Sequence, residues 1–317
     1  MNSDKEGLNF SVVVPIYNEE GNILSLHQEI SSELASLSSK YEIIYINDGS
    51  TDRSLEELKS LNKAKIINLN RNYGQATAFD AGFKVAMGDI VISMDGDGQN
   101  DPRDIHLLLK KMHDEDLDVV AGWRKVRKDR NMIKVFTRIG RWFRKILIKD
   151  IVHDTGCSFR VYKREAVKSL DIGGEMHRYI LALLRWKGFS IGEVFVNDRK
   201  REYGKSKYNW KKSIKGLIDL IFIWFIHKYS QRPMHLFGSI SFVLLLLGFL
   251  SGLWTLYGKF FLGLSLNRNG WGLLTFFFLT SGIMLFSFGL VIDLLIKLNL
   301  NNSPYEKRYY IREVIEV

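Results

Sequence analysis

Two different hydrophobic patterns divide the chain near residue 212. Before it, short apolar runs rich in β-branched residues alternate with longer amphipathic segments. The short runs are FSVVVPIY, YEIIYIND, AKIINLN and DIVISMDGD, and helical segments such as residues 21–37 and 54–61 lie between them. This alternation predicts an α/β fold with a doubly wound, mostly parallel sheet.

The loops that end the four β-rich runs are where a ligand is expected. In a doubly wound sheet, ligands bind at the carboxyl ends of the strands. These loops contain residues 17–20, 48–52, 70–75 and 95–99. We therefore expect side chains from these four loops to form the site.

Beyond residue 212 the apolar runs become much longer. Residues 236–257 and 271–292 contain no charged side chain, and each is long enough to cross about 30 Å of hydrocarbon. Two buried helices of a soluble core are the alternative, which tandem runs of this length with aromatic ends make less favourable.

Basic residues flank the two predicted spans unevenly. The connection between the spans contains only Lys259 and Arg268 as charged residues. The sequence before the first span and after the second is richer in basic residues: Lys211, Lys212, Lys215, Lys228 and Arg232, then Lys297, Lys307, Arg308 and Arg312. This bias predicts a multi-pass protein of the inner membrane with both termini in the cytoplasm.

Two further segments have the pattern of helices that lie in the membrane interface. Residues 133–149 combine an apolar face with a basic stripe, and residues 213–229 are apolar with charges at intervals. For residues 133–149, an ordinary solvated basic helix is the alternative. The predicted layout is a domain at 1–212, an interfacial helix at 213–234, two transmembrane helices at 235–298 and a cytoplasmic tail at 299–317.

Composition alone does not identify the kind of partner that this protein binds. The formal charge of +10 suits nucleic acid, an anionic membrane or a phosphorylated substrate equally well. Cys157 is the sole cysteine, which excludes an intramolecular disulfide and a multi-cysteine metal site. The start of the chain is polar and carries acidic residues, unlike a secretory signal, so we expect the N-terminal domain to stay in the cytoplasm.

The strongest local signal for chemistry is Asp95-Gly96-Asp97, directly after the run DIVISM. Two carboxylates two residues apart can address one divalent cation, and oxygen ligands suit Mg²⁺ or Mn²⁺, with a diphosphate completing the shell. A solvated acidic turn is the alternative for such a pair in isolation. Its place at a predicted strand end favours the metal site.

Several segments, taken in order and spacing, resemble family 2 of the glycosyltransferases. They are VVVPIYNEEGNI, YINDGSTDRS, LNRNYGQATAFDAGF, MDGDGQNDP, AGWRKVRKD, HDTGCSFRVYKREAV, GEMHRYI and YGKSKY. The resemblance is to the polyprenyl-phosphate sugar transferases of that family, such as dolichyl-phosphate mannose synthase and bactoprenol glucosyltransferases. It implies the GT-A nucleotide-sugar-binding, Rossmann-like fold over the first domain.

The resemblance assigns donor and metal roles to residues of the strand-end loops. Pro15, Tyr17 and Glu19 would line the nucleotide base and ribose, and Asp48 would contact the base. Asp95 would lie near the ribose and the metal, Asp97 would coordinate the metal, and Gln99 would help to bind the donor. An aromatic ring can pack on a base and a carboxylate can accept from it, which agrees with these roles.

Basic residues are the main candidates for binding the acceptor phosphate. Arg124 follows the run DVVAGW, and the resemblance places the lipid phosphate against Arg199, Arg201, Ser206 and Lys207. A basic loop that only senses anionic lipid is the alternative for the last four. Asp154 is a candidate for orienting the acceptor or a sugar hydroxyl, and Glu175, His177 and Arg178 for lining the sugar side.

The function expected from these assignments is the inverting transfer of one hexose from a nucleotide sugar to undecaprenyl phosphate. UDP-glucose or a related UDP-hexose is favoured as donor, with GDP-mannose as the alternative. The chain lacks the QxxRW motif of processive family members, which favours a single transfer. No nucleic acid is expected as a partner, and a homo-oligomer stays open. The rival hypotheses are a basic nucleic-acid-binding or membrane-tethering protein and a transferase that acts on protein.

Overall fold

The computed structural model describes residues 9–38, 40–124, 152–174, 176–199, 220–225, 228–229, 232–264, 270–301 and 311–316. The basic segment 133–149 and the residues Arg201, Ser206 and Lys207 lie outside the described residues, as do Glu175 and most of segment 213–229. The chain forms two compact units, Met1–Asp219 with Lys307–Val317, and Leu220–Glu306.

The first unit alternates strands and helices in its N-terminal half. The strands are β1 (Phe10–Ile16), β2 (Tyr41–Asn47), β3 (Lys65–Leu69), β4 (Ile90–Ser93), β5 (Val119–Arg124), β6 (Arg160–Lys163), β7 (Ile191–Val196) and β8 (Ile311–Glu316). The helices are α1 (Ile23–Leu37), α2 (Ser54–Lys59), α3 (Gln75–Val85), α4 (Ile105–Asp114), α5 (Arg164–Lys168) and α6 (Ile180–Trp186). Two short 3₁₀ turns, Pro102–Asp104 and Met176–Tyr179, complete the described elements of this unit.

All eight strands belong to one sheet in the order β7-β5-β6-β4-β1-β2-β3-β8. The pairs β1–β2, β1–β4, β2–β3 and β5–β7 are parallel, whereas β6 and β8 pair with their neighbours antiparallel. The prediction of an α/β fold with a mostly parallel central sheet is confirmed. The pattern did not predict the antiparallel strands β6 and β8.

Helices cover both faces of the sheet, and each face has its own apolar core. One core packs α1 and α4 against Val12, Val14 and Tyr45, and the other packs α3 and α6 against Val13 and Ile44. Helix α3 lies very close to the sheet: a Cβ on Gly82 would come within 2.3 Å of Val13 Cγ1. Strands buried on both faces read as continuous apolar runs, as β1 and β2 do.

Strand β8 forms one edge of the sheet although it follows the long apolar helices in the chain. It pairs with β3 in a register that runs from Lys65↔Glu316 to Leu69↔Ile311. The Glu313 carboxylate accepts from Asn68 Nδ2 at 3.1 Å and lies 3.4 Å from Lys59 Nζ. Residues 311–316, within the segment expected to be a tail, therefore complete the sheet.

The second unit contains two long apolar helices, α7 (Pro233–Phe261) and α8 (Gly270–Asn301). Both are long and apolar enough to cross a membrane. Small residues let them pack closely, since a Cβ on Gly282 would come within 2.8 Å of Leu245 Cγ. Ser241 Oγ donates to the Gly282 carbonyl at 2.7 Å, so a polar contact also joins the pair. Large apolar side chains face outward along both helices.

Candidate active site

A cavity of about 420 Å³ opens at the carboxyl ends of the parallel strands. Its lining comes from the ends of β1, β2 and β4, from the loop before α3 and from the turn Met176–Tyr179: Pro15, Ile16, Tyr17, Glu19, Asp48, Asn72, Gly74, Gln75, Asp95, Gly96, Asp97, His177 and Arg178. Its volume is within the range of small-molecule sites.

The Asp48 carboxylate organises the loop that leads into α3. Its two oxygens accept from the backbone N–H groups of Tyr73 at 2.7 Å and Gly74 at 2.9 Å. Burial raises the pKa of Asp48, although these two hydrogen bonds oppose the shift. Asp48 therefore lines the cavity and also fixes the loop on its far side.

Glu19 and Tyr17 occupy the start of the loop that follows β1. The Glu19 backbone N–H donates to Ser54 Oγ at 2.9 Å, and its carboxylate accepts from Asn22 Nδ2 at 3.0 Å. Asn18, between Tyr17 and Glu19, has a φ of 54°, in the left-handed region that asparagine tolerates. This turn places both neighbours at the cavity.

Asp95 and Asp97 lie at the end of β4, in a loop that hydrogen bonds hold in shape. Gln75 Nε2 donates to Asp95 Oδ1 at 2.6 Å, and the Asp95 N–H donates to Asn100 Oδ1 at 3.0 Å. Asp97 Oδ1 accepts from the Gln99 N–H at 3.1 Å. Burial, and then the charge of Asp97, raise the pKa of Asp95 to about 6.

The donor set of this loop fits a divalent cation. Within the residues that the structure describes, no group of three or more His, Cys, Asp and Glu side chains is gathered for a metal. Two adjacent carboxylates whose charges repel would gain from a cation between them, and Mg²⁺ or Mn²⁺ accepts further oxygens from phosphate. Among the described residues, Asp95 and Asp97 are the acidic side chains that this loop offers to a cation, so the remaining ligands would come from a bound diphosphate and water.

Arg124 lies at the end of β5, next to the loop that contains Asp154. Its Nε and Nη2 donate to the two Asp154 carboxylate oxygens at 2.8 and 3.3 Å. Burial works against the charged guanidinium, but the bonds and charge of Asp154 outweigh it and raise the pKa of Arg124. Neither residue is part of the cavity lining, but the charge of Arg124 partly opposes the rise in the pKa of Asp95, which places the pair near the loop that contains Asp95 and Asp97.

Arg160, on β6, is a buried cation that the sequence analysis missed. Its Nε donates to the Cys157 carbonyl at 2.7 Å and its Nη2 to the Thr155 carbonyl at 2.9 Å. The charge of Arg160 also acts on Asp95. Arg160 is the only arginine of HDTGCSFR, and its place at the end of that segment was the one signal that could have indicated it.

The predicted residues fall into three groups. Pro15, Tyr17, Glu19, Asp48, Asp95 and Asp97 line the cavity together, as do His177 and Arg178. Arg124, Asp154, Gln99 and Arg199 lie outside the lining, and each makes contacts within the protein. Arg201, Ser206 and Lys207 lie outside the described residues. Gln75 and Asn72, both in a loop where a ligand was expected, join the lining without having been singled out.

A mixed sheet with paired carboxylates at the end of a central strand agrees with the GT-A fold expected from the sequence. The profile described as "Glycosyl transferase family 2" matches residues 11–171. The chain belongs to this family and is a glycosyltransferase.

Two similar proteins share nearly the whole length of the chain. Dodecaprenyl-phosphate galacturonate synthase of Rhizobium johnstonii is 31% identical over 99% of this chain and 95% of its own. Undecaprenyl-phosphate 4-deoxy-4-formamido-L-arabinose transferase of Proteus mirabilis is 31% identical over 97% of this chain and 94% of its own. Both names describe a sugar joined to a polyprenyl phosphate.

Solved structures share the fold over 68–70% of the chain. Glucosyl-3-phosphoglycerate synthase of Mycobacterium tuberculosis, with phosphoglyceric acid bound, superposes with a TM-score of 0.55 at 20% identity, covering 70% of this chain and 80% of the other. Another structure of that enzyme contains Mn²⁺, UDP and phosphoglyceric acid and gives a TM-score of 0.53 at 20% identity, covering 68% and 78%. The GT-A fold is thereby confirmed.

Proposed function

We propose that this glycosyltransferase moves one sugar from a nucleotide-sugar donor to a polyprenyl phosphate at the cytoplasmic face of the membrane. The observation that carries the proposal is the cavity at the strand ends, where Asp95 and Asp97 meet the loops expected to hold a nucleotide. The two full-length relatives, each named for a sugar on a polyprenyl phosphate, support the acceptor. The helices α7 and α8 would keep the enzyme at the membrane that contains such a lipid.

Different residues of the cavity lining would bind different parts of the donor. Tyr17 and Asp48 would bind the base, Glu19 and Pro15 the ribose, and Asp97 with Asp95 the metal. A bound Mg²⁺ or Mn²⁺ would neutralise charge on the diphosphate as it departs. The structural relative that contains Mn²⁺ and UDP supports a metal and a uridine nucleotide for this fold.

The acceptor phosphate can itself be the nucleophile. A phosphate monoester has a second pKa near 6, so it is largely dianionic at neutral pH. One of its oxygens forms a bond to the anomeric carbon while the bond from that carbon to the diphosphate oxygen breaks, and the nucleoside diphosphate leaves. In-line displacement inverts the anomeric configuration. Arg124, with Arg201, Ser206 and Lys207, would counter the acceptor charge.

A UDP-hexose is favoured, because UDP occupies structural relatives and a relative is named for galacturonate. UDP-glucose, UDP-galacturonate and GDP-mannose are therefore the donors to compare. Each should be tested separately with undecaprenyl phosphate, and the label that becomes soluble in organic solvent identifies the sugar.

The replacement of Asp97 tests the reaction. In purified membranes with the best labelled donor, Asp97→Asn should lower the lipid-linked product by about a hundredfold or more, because the diphosphate loses its metal. A chelator should have the same effect on the unchanged protein, and added Mn²⁺ or Mg²⁺ should restore activity. Asp118→Asn is the control, since Asp118 is an acidic residue that bonds Ser190 away from the cavity.

Two results would contradict the proposal. Lipid-linked product that persists in Asp97→Asn would exclude the assigned metal site. Label that enters protein and stays out of the organic phase would favour the protein-directed transferase.

A further inference from the structure

The segment of residues 197–199 is bonded along its length to the loop that follows Asp97. The Arg199 N–H donates to the Gln99 carbonyl at 2.9 Å, and Gln99 Nε2 donates back to the Arg199 carbonyl at 3.4 Å. Asn100 and Asp198 form an isolated antiparallel bridge beside these bonds. Residues 197–199 therefore run alongside the loop that contains the paired carboxylates.

The Arg199 side chain extends this contact to two further elements. Its Nη1 lies 2.6 Å from Glu29 Oε2 on α1, and its Nη2 lies 2.6 Å from Asp101 Oδ1, just before the turn Pro102–Asp104. A planar guanidinium with fixed donor directions is suited to join two carboxylates in a set geometry. Arg199 thus joins three parts of the fold: helix α1, the end of the loop that contains Asp95 and Asp97, and the segment that follows β7.

The carboxylate that receives Arg199 is buried and ionised. Asp101 is 3% exposed. Burial would raise its pKa, but the hydrogen bonds from Arg103 and Arg199 outweigh this and lower the pKa of Asp101 to about 2. Asn197 adds two bonds to Asp104, through its N–H at 2.6 Å and Nδ2 at 2.9 Å. The segment after β7 therefore holds both Asp101, just before the turn Pro102–Asp104, and Asp104 within it.

These contacts conflict with the use of Arg199 for the acceptor. A phosphate that recruited this guanidinium would have to displace Asp101 or Glu29. Asp101 is almost fully buried, so displacing Arg199 from it would leave an uncompensated charge, which is costly; Arg199 and Glu29 are themselves partly exposed. The sequence could not indicate this, because Glu29 and Arg199 are 170 residues apart.

We propose that Arg199 is a positioning residue that holds residues 97–101 in the shape in which Asp97 coordinates the donor metal, and that it does not bind the lipid phosphate. The inference rests on the proposed function, since it concerns the same site. Partners behind metal ligands commonly change metal affinity by about tenfold to a hundredfold when they are lost. Arg199 should therefore affect the metal requirement and leave acceptor affinity unchanged.

The test uses the full-length protein, purified in detergent, and two measurements. The first is binding of UDP at a series of Mn²⁺ concentrations, which needs no turnover. Arg199→Gln should raise the Mn²⁺ concentration for half-maximal UDP binding by about tenfold or more. Arg199→Lys keeps the positive charge but lacks the planar guanidinium that can bond two carboxylates, so it should reverse part of the rise in the Mn²⁺ requirement. The second measurement is the KM for undecaprenyl phosphate at saturating Mn²⁺, which should stay within about twofold of the unchanged protein for both variants.

Arg103→Gln is the matched control. Arg103 also pairs with Asp101, at 2.8 Å, but its side chain is 75% exposed. It should change the Mn²⁺ requirement by less than about twofold, because Arg103 is exposed and joins Asp101 only to a residue two positions along the chain, not to α1 or to the segment after β7. If Arg199→Gln fails to fold, Glu29→Gln tests the other end of the contact and should raise the Mn²⁺ requirement by about threefold.

The outcomes separate this inference from the proposed function. If the unchanged protein does not bind UDP with Mn²⁺, the proposed donor site fails. If it does bind, and Arg199→Gln leaves the Mn²⁺ requirement unchanged while raising the acceptor KM, the positioning role is overturned and Arg199 belongs to the acceptor. An equal effect of Arg103→Gln and Arg199→Gln would also overturn it.

Discussion

Three arginines lie at or near the loop of the paired carboxylates: Arg124 and Arg160, whose charges act on Asp95, and Arg199, which pairs with Asp101; each is held in a different way. Arg124 is fixed by the Asp154 carboxylate, Arg160 by two backbone carbonyls, and Arg199 by two acidic side chains. A cation held by carbonyls keeps its full charge, whereas one held by carboxylates is partly neutralised. The field at Asp95 is therefore set by the partners of these arginines as much as by their positions.

Asp154 should act on the reaction through Arg124. Asp154→Asn removes the charge that orients Arg124 at 2.8 Å, so we expect turnover to fall by about tenfold or more. In an Arg124→Gln background the same change should have little further effect, because the two residues act as a unit. The measurement is a double-mutant cycle on kcat with the best donor.

Independent effects of Asp154 and Arg124 in that cycle would contradict a positioning role. They would favour a direct contact of Asp154 with the acceptor or with a sugar hydroxyl. Asp118→Asn again serves as the control for a change of charge on the same domain.

The elements were predictable where their pattern was local. The four N-terminal β-rich runs became β1 to β4 within a few residues, and both apolar helices contain the uncharged runs 236–257 and 271–292 and extend beyond them. Strand β6 has only four residues and pairs antiparallel between β4 and β5. A run that short has no periodicity of its own, so its pairing partners, distant in the chain, determine it.

In the candidate site too, features set by the local sequence pattern could be predicted, whereas contacts between distant residues could not. The loops at the strand ends, and with them most of the cavity lining, followed from the parallel topology. The bond from Gln75 to Asp95 and the contacts of Arg199 depend on long-range packing. No local spacing indicates which acidic residue a given arginine will meet, so these contacts needed the structure.

Because α7 and α8 pack closely, adding a side chain at one of their glycines should destabilise the helix pair, whereas adding one at another should not. A side chain at Gly282 would collide with Leu245, whereas nothing lies within 4 Å of a Cβ at Gly272. Gly282→Val should lower the free energy of unfolding by about 1–3 kcal/mol through overpacking, and Gly272→Val should leave it nearly unchanged. Thermal unfolding in detergent measures both.

An equal shift of the unfolding temperature in the two variants would show that this close contact does not stabilise the helix pair. Ser241→Ala, which removes the hydroxyl that donates to Gly282, gives an independent check on the same contact.

At the scale of the whole molecule, the sheet depends on residues from both ends of the chain. Strand β3 would be an edge with unpaired backbone groups without β8, and exposed edges favour aggregation. The β8 residues IREVIE lack a strict alternation of apolar and polar side chains, and because they follow two predicted spans they were expected to be a tail. The partner strand lies far back in the sequence, which is why the pattern alone did not reveal the pairing.

Removal of residues 307–317 should destabilise the first unit and increase its aggregation. The truncated protein loses the whole ladder between β3 and β8, and we expect a lower unfolding temperature with more aggregate on size-exclusion chromatography. Glu313→Gln removes only the charge that faces Lys59 and should have a much smaller effect. Equal behaviour of the truncated and unchanged proteins would contradict a stabilising role for β8.

The late position of β8 also has a consequence for biosynthesis. A ribosome extends the chain from the N-terminus, and domains generally fold in that order. The sheet must wait for its last strand until both apolar helices have been synthesised, since the Asn68–Glu313 contact joins residues 245 positions apart. During translation β3 would have an open edge while the apolar helices are made, so timely membrane insertion and the arrival of β8 would together limit misassembly of the nascent enzyme.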